Sequence, residues 1–143
     1  MKLFYKRTIF FVLFVILDQL TKLLVLLSKP MIDLKVLAIN YVQNTGASFG
    51  ILKSFNTPLI WVSLIAIGVV MMNYEHFPKK SGFFTMMLLA GITGNFIDRV
   101  FRGFVIDFID LKFWPIFNFA DMYICLSVLI LIILFLKEEN KGK

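Results

Sequence analysis

Four long apolar runs divide the sequence, and shorter polar segments separate them. The runs cover residues 8–27, 58–73, 82–97 and 117–136. A membrane-spanning helix needs about 20 predominantly apolar residues, so this pattern predicts four transmembrane helices. The first run is too long for the apolar core of a signal peptide and lacks a small-x-small cleavage site, so we interpret it as a retained first helix. Gly91 and Gly94 predict close helix packing in the third run.

The segment between the first two runs has a different pattern. Residues 36–42 are rich in strand-forming residues, and Gln-Asn-Thr-Gly at 43–46 is typical of a turn. We therefore expect an all-α membrane protein with four transmembrane helices and a small extracytoplasmic β-rich platform between helices one and two. Residues 98–115 are predicted to form a loop, and residues 1–143 a single domain.

The composition supports a membrane protein. Of the 143 residues, 59% are hydrophobic and 17% are charged, against about 25% charged residues in a soluble domain. The net charge of +6 would also fit a nucleic-acid-binding protein. However, the basic residues are scattered at the ends of apolar runs and form no stripe. We therefore expect membrane lipid around the chain and no nucleic-acid partner.

The basic residues also predict an orientation. The N-terminal segment, the 74–80 loop and the C-terminal tail together carry eight Lys and Arg, whereas the two longer loops carry six. Basic residues are enriched in cytoplasmic loops. Both termini of this multi-pass chain are therefore expected in the cytoplasm.

On this orientation, the polar residues of the helices and outer loops converge near the outer face of the membrane. They are Asp18, Lys22, Asn44, Asn95, Asp98, Arg99, Asp107, Asn118 and Asp121. Ionisable groups at membrane depth are costly and rarely incidental, so we expect them to form one site. Asp18 and Lys22 are four residues apart and share a helix face. Asp98 and Arg99 are interpreted as a structural ion pair.

Asp107 and Asp121 are the best candidates for chemistry, because a loop and a helix start could bring them together. Two carboxylates at close range share one proton. One of them can then act as a base on water while the other donates to a scissile carbonyl. This arrangement predicts an aspartic peptidase. Asp110, three residues further on, is expected to be exposed or structural.

Other interpretations of these residues stay open. Gly-Ala-Ser-Phe-Gly at 46–50 matches a serine hydrolase pattern but has no suitable histidine, and a Ser48–Lys22 dyad would avoid that need. A metal site made only of carboxylates is a second alternative, since the one histidine, His76, is expected on the opposite side. A network of ion pairs that holds helix ends together is a third. A proton-coupled transporter is a non-enzymatic alternative, but it would place its acids near the midplane of the membrane, where only Asp18 is expected. An inactive assembly protein is a further non-enzymatic alternative.

Four motifs occur in order along nearly the whole chain. They are Asp-Gln-Leu-Thr-Lys at 18–22, Asn-Thr-Gly-Ala-Ser-Phe at 44–49, Gly-Asn-Phe-Ile-Asp-Arg at 94–99 with Val-Ile-Asp-Phe at 105–108, and Phe-Asn-Phe-Ala-Asp at 117–121. With these motifs the chain resembles lipoprotein signal peptidase, also called signal peptidase II, the membrane aspartic peptidase of bacteria.

The resemblance implies that Asp107 and Asp121 are the catalytic pair. It implies substrate-binding or supporting roles for Asp18, Lys22, Asn44, Gly46, Asn95, Asp98, Arg99 and Asn118. It further implies an endopeptidase of the bacterial cytoplasmic membrane that cuts prolipoproteins before a diacylglyceryl-modified cysteine at the outer face. No metal and no cofactor are implied. Only thirteen residues separate the two aspartates, so a lid over the site is not carried over from the family.

Overall fold

The structure is a computed structural model that describes residues 2–46 and 55–140, without the side chains of 2–4 and 79. These residues form a mostly helical fold with one small sheet, as the sequence predicted. The helices are α1 (Lys2–Ser28), α2 (Asn56–Met72), α3 (Gly82–Phe101) and α4 (Phe119–Glu139). The strands are β1 (Met31–Asp33), β2 (Ala38–Asn44) and β3 (Val105–Asp110). Two short 3₁₀ turns, Tyr74–His76 and Lys79–Ser81, connect α2 to α3.

Helix α3 lies at the centre of the bundle and contacts the other three helices. Its glycines explain how the helices approach so closely. A Cβ atom at Gly91 would lie 2.6 Å from the carbonyl oxygen of Ala120 in α4, and one at Gly94 would lie 2.4 Å from Oδ2 of Asp18 in α1. The close packing predicted from the small residues of this run is therefore confirmed.

This packing predicts how the glycines respond to substitution. Gly91→Ala should lower the free energy of unfolding by about 1–3 kcal/mol, because the new methyl group meets backbone on α4 and one helix must shift. Gly68→Ala in α2 is the matched control, since a Cβ there meets nothing within 4 Å, and it should be neutral or slightly stabilising. Thermal unfolding in detergent measures both. Equal midpoints would contradict the packing argument.

The helix surfaces are strongly apolar. Two helical segments, Tyr5–Ser28 and Phe119–Glu139, are long and apolar enough to cross a membrane. Only 17% and 22% of their apolar windows are buried inside the protein, whereas the core helix of a soluble protein would be mostly covered. The shorter α2 also exposes Trp61 and Ile65. Large apolar surfaces without a protein partner are what a membrane protein presents to lipid.

The sheet differs from the prediction in its third strand. The strand order is β1-β2-β3, antiparallel throughout. Residues 105–110 were predicted as loop, and that prediction is wrong: they form β3, in which Asp107 pairs with Val42 of β2. The pattern of polar and apolar residues does not reveal this strand, because its first four residues are all buried and do not alternate between core and solvent. Its partner strand is also distant in sequence. The platform therefore combines segments from both sides of α2 and α3.

A backbone clasp follows β3 and leads the chain into α4. The N–H of Ile109 donates to the carbonyl of Phe117 at 2.8 Å, and the N–H of Phe117 donates back to Ile109 at 3.0 Å. These bonds close residues 110–116 into a loop. At the other end of β3, Gly103 adopts a φ of +79°, a left-handed conformation that glycine tolerates without strain. The turn lets the chain leave α3 and enter the sheet.

Candidate active site

Asp107 lies on β3, where Asn44 of the neighbouring strand β2 holds its carboxylate. Asn44 is two residues beyond Val42, the direct partner of Asp107, so both side chains lie on the same sheet face. Nδ2 of Asn44 donates to Oδ2 of Asp107 at 2.8 Å. The N–H of Gly46 donates to Oδ1 of Asn44 at 2.9 Å and fixes the orientation of that amide. Asp107 itself is only 3% exposed.

Asp121 lies in the first turn of α4, where it forms a capping box with Asn118. The N–H of Asp121 donates to Oδ1 of Asn118 at 3.0 Å, and the N–H of Asn118 donates to Oδ2 of Asp121 at 3.1 Å. Reciprocal bonds of this kind satisfy two backbone donors that a helix start would otherwise leave without partners. Oδ1 of Asp121 also accepts from Nδ2 of Asn95 at 2.7 Å. The position of Asp121 is thus set by the start of α4 and by α3.

Asn118 connects the two aspartates, which we call the candidate pair (Asp107 and Asp121). Its Nδ2 donates to Oδ1 of Asp107 at 2.7 Å while its Oδ1 accepts from the backbone of Asp121. The same Nδ2 lies 3.2 Å from Oδ1 of Asn95. Asn118 is fully buried. One small side chain therefore fixes β3 relative to α4.

A buried ion cluster (Asp18, Lys22 and Asp98) lies behind the candidate pair. Nζ of Lys22 is 2.9 Å from Oδ2 of Asp18 and 3.1 Å from Oδ2 of Asp98. It also donates to Oδ1 of Asn95 at 2.9 Å, so the three donors of the ammonium group have three acceptors. All three cluster residues are 0% exposed. The ion pair predicted between Asp18 and Lys22 is confirmed.

Each carboxylate of the buried ion cluster also holds the backbone beside one member of the candidate pair. Oδ1 of Asp18 accepts from the N–H of Ala120 at 2.9 Å, immediately before the aspartate of α4. Oδ2 of Asp98 accepts from the N–H of Ile106 at 3.1 Å, immediately before the aspartate of β3. Because Lys22 binds both carboxylates, one lysine links the anchors of the two aspartates.

The expected pair of Asp98 with Arg99 is wrong. Asp98 instead forms ion pairs with Lys22 and with Arg102. Successive residues on a helix do not face each other, whereas residues four apart do. Arg99 lies near the candidate pair and interacts electrostatically with both of its carboxylates.

Sequence reasoning missed two residues that complete this network, Gln19 and Arg102. Nε2 of Gln19 lies 3.1 Å from each of three acceptors, which are Oδ2 of Asp18, Oδ1 of Asp98 and the carbonyl of Gly94. NH1 of Arg102 donates to Oε1 of Gln19 at 3.0 Å. The sequence contained a signal for each residue, since Gln19 lies in the first motif and Arg102 is four residues after Asp98.

The remaining sequence candidates lie apart or outside the described residues. Asp110 accepts from the backbone N–H of Lys112 at 2.7 Å in an exposed turn, which is a structural role. His76 is exposed in the turn after α2. Ser48, the nucleophile of the alternative serine–lysine dyad, lies outside the part of the chain that the structure describes.

Burial and mutual repulsion make proton sharing favourable at the candidate pair. Burial, together with the negative charge of Asp121, raises the pKa of Asp107 from 3.8 to about 6, although hydrogen bonds from Asn44 and Asn118 act in the opposite direction. Desolvation penalises the charged form of a carboxyl group, and a nearby like charge adds to that penalty. Asp107 therefore keeps its proton to a higher pH than an ordinary aspartate, up to about pH 6.

Comparison with known proteins identifies the family. The family model described as Signal peptidase (SPase) II matches residues 10–137. The chain belongs to the lipoprotein signal peptidase family. A lipoprotein signal peptidase of Syntrophomonas wolfei is 40% identical over 143 residues, covering 93% of this chain and 95% of that protein. One from Halothermothrix orenii is 34% identical over 136 residues, covering 90% and 93%.

Solved structures give the same result for the fold. A bacterial membrane enzyme determined by the in meso method at 2.3 Å resolution matches with a TM-score of 0.88 and 30% identity, over 96% of this chain and 92% of that one. As a lipoprotein signal peptidase, the protein is a membrane peptidase that removes signal peptides from prolipoproteins. The transporter and assembly-protein alternatives are therefore set aside.

Proposed function

We propose that the chain is an aspartic endopeptidase in which Asp107 and Asp121 activate water. The observation that carries this proposal is the link through Asn118, whose side chain binds Asp107 and caps the helix turn of Asp121. An ion-pair network alone would give each carboxylate a cationic partner. Among the described residues, neither member of the candidate pair has a lysine or arginine nitrogen within ion-pair distance, and amide groups hold both instead.

The charge of the site supports one shared proton. The carboxylates of Asp18, Asp98 and the candidate pair surround three cations: Lys22, Arg99 and Arg102. This group of side chains reaches zero net charge when a single proton is retained. Asp107 is the better holder of that proton because burial raises its pKa.

The proposed reaction uses this proton distribution. Asp121 removes a proton from water as the oxygen attacks the scissile carbonyl, and Asp107 donates its proton to the carbonyl oxygen, giving a tetrahedral diol. Asp121 then passes its proton to the leaving nitrogen as the C–N bond breaks. The diol hydroxyl returns a proton to Asp107 as the new carboxyl group forms. The pair thus ends in its starting state.

We further propose a single membrane domain of four transmembrane helices in the bacterial inner membrane, with both termini in the cytoplasm. Helices α2 and α3 have 17 and 20 residues, close to the roughly 17–25 that a span requires. The candidate pair then lies near the outer face, beside the platform. A prolipoprotein anchored by diacylglycerol on its cysteine would present its scissile bond at this level.

The test is cleavage of a purified prolipoprotein by the full chain in detergent. We expect cutting immediately before the diacylglyceryl cysteine, located by mass spectrometry of the products. The matched control is the same prolipoprotein without the lipid, which should be cut far more slowly. Equal rates on both substrates, or a cut elsewhere, would overturn the proposed substrate.

The hydrogen bond from Asn44 predicts a specific pH dependence. This bond stabilises ionised Asp107, so Asn44→Ala should raise the pKa of Asp107 further. If activity needs the shared proton, the alkaline limb of kcat/KM should move to higher pH in the variant. Gln43→Ala is the control, because that amide donates to the hydroxyl of Tyr41 at an exposed position. A shift of the limb to lower pH would contradict the assignment.

A further inference from the structure

A cavity lies between α1, α2 and α3. It has a volume of about 360 Å³. Its walls are almost entirely apolar, and they include Phe11, Ile67, Met71, Met86 and Leu89. Arg7 lines the same cavity and precedes Lys22 by fifteen residues, or about 22 Å along α1. This cavity, the apolar groove, is lined by no residue of the candidate pair or of the buried ion cluster.

Arg7 is held in a fixed position where the apolar groove ends. Its NH1 donates to the hydroxyl of Tyr74 at 2.8 Å, and its guanidinium carbon lies 5.9 Å from the centre of that ring. A Cβ atom at Gly82 would lie 2.3 Å from the guanidinium, so the absence of a side chain there lets Arg7 pack against the start of α3. Three helical segments thus build this position.

A more polar hollow of about 400 Å³ adjoins the apolar groove and shares Arg7 and Tyr74 with it. Its lining adds Glu75 and Ser81. An apolar groove and a polar hollow that meet at one arginine are complementary to a molecule with a hydrocarbon chain and a charged head.

We propose that these two cavities together bind a membrane phospholipid with an amine-bearing headgroup. The acyl chain lies in the apolar groove, the phosphate contacts Arg7 and the ammonium group lies beside Glu75. A guanidinium presents a fork of N–H donors that matches phosphate geometry. The neighbouring acid distinguishes this headgroup from a purely anionic one, which Glu75 would repel.

Charge argues against the substrate's signal helix as the occupant. A signal peptide carries a basic segment before its apolar core, and on the proposed orientation that segment would meet this end of the bundle. Arg7 lines both cavities, whereas the acid Glu75 lines only the polar hollow. Like charges would disfavour that arrangement, whereas a phosphate would be attracted.

Native mass spectrometry of the delipidated full chain tests the proposal. Phosphatidylethanolamine and phosphatidylglycerol with identical acyl chains are added in separate titrations. We expect one phosphatidylethanolamine to bind wild type in preference to phosphatidylglycerol. Arg7→Gln should weaken binding of both lipids about tenfold, as expected for loss of a charge-assisted hydrogen bond. Glu75→Gln should keep the binding but lose the preference for the amine-bearing lipid.

Lys80→Gln is the matched control, because it removes a nearby exposed cation that lines neither cavity. Arg7→Lys serves as a second variant if Arg7→Gln fails to fold, and it should bind with intermediate affinity. Prolipoprotein cleavage in detergent by a folded Arg7 variant should stay within about twofold of wild type, since Arg7 lies about 22 Å along α1 from Lys22 of the buried ion cluster.

Several results would overturn the proposal. Equal lipid binding by Arg7→Gln and Lys80→Gln would remove the role of Arg7. Displacement of bound lipid by inorganic phosphate alone would indicate a simple anion site, and displacement by a synthetic signal peptide would indicate a substrate site. Graded binding of many lipids without a first preferred one would indicate only a general lipid shell.

Discussion

Asp107→Asn and Asp121→Asn should each lower the rate of prolipoprotein cleavage by about 10³-fold or more. Asparagine keeps the shape of the side chain but can neither hold the shared proton nor accept one from water. Both variants should still fold but with a lowered unfolding midpoint, because each carboxylate accepts N–H bonds at both of its oxygens and asparagine keeps only one acceptor oxygen. Single-turnover cleavage of a diacylglyceryl prolipoprotein measures the loss, and the thermal unfolding midpoint in detergent checks the fold.

Asp110→Asn is the matched control for these variants. Asp110 lies on the same strand as Asp107. Among the residues that the structure describes, its carboxylate accepts one local hydrogen bond, from the N–H of Lys112. Cleavage should remain close to wild type. A loss as large as that of Asp107→Asn would mean that the strand is sensitive to any change of charge, and the catalytic assignment would lose its support.

Ser48→Ala separates the aspartic mechanism from the serine–lysine alternative. The aspartic mechanism predicts that this variant still cuts, whereas a serine nucleophile predicts complete loss. If Ser48→Ala is inactive while an asparagine variant at either aspartate still cuts, the proposed mechanism is wrong. Lys22 cannot decide this question by itself, since both mechanisms predict damage when it is replaced.

The second large effect is on stability. Lys22→Met should lower the free energy of unfolding by about 3–5 kcal/mol, because it leaves the buried carboxylates of Asp18 and Asp98 without their shared cation. The substitution therefore weakens both backbone anchors of the candidate pair, the bond of Asp18 to Ala120 and the bond of Asp98 to Ile106. Thermal unfolding in detergent should show a strongly lowered midpoint, and cleavage should fall in parallel.

Lys112→Met is the matched control for the buried lysine. Lys112 forms an ion pair with Asp33 at 2.8 Å, but both side chains are exposed, and exposed pairs contribute little. Its unfolding midpoint should stay at the wild-type value. The double variant Lys22→Met with Asp18→Asn should regain part of the stability, because one of the unpaired charges is removed. Equal midpoints for Lys22→Met and Lys112→Met would refute the role of the buried ion cluster.

Local sequence pattern predicted the helices and one contact of the site. The apolar runs gave the four helices, with α1 and α3 extending further than expected at the N-terminus and the C-terminus, respectively. The spacing of Asp18 and Lys22 was enough to predict their ion pair, because residues four apart on a helix meet whatever the tertiary structure. The same rule would have paired Asp98 with Arg102, had spacing been weighed above adjacency.

Contacts between distant segments could not be read from the sequence in the same way. Strand β3 is defined by its pairing with β2. The sequence of one strand does not show which residues of the other strand it pairs with. The bond from Asn44 to Asp107 depends on that register, and the contact of Asp18 with the N–H of Ala120 depends on how α1 packs against α4. Motif resemblance pointed to these residues together but not to which atoms meet.

The backbone clasp between Ile109 and Phe117 separates the geometry of the reacting groups from the length of the segment beyond it. The hydrogen bonds between Ile109 and Phe117 fix the position of Asp107 relative to Asp121. The number of residues between the two aspartates, thirteen, does not. Extra residues inserted between Phe113 and Trp114 would enlarge a closed ring without moving either aspartate. This loop is therefore a natural place for an affinity tag, and for relatives to evolve different substrate contacts while keeping the same chemistry.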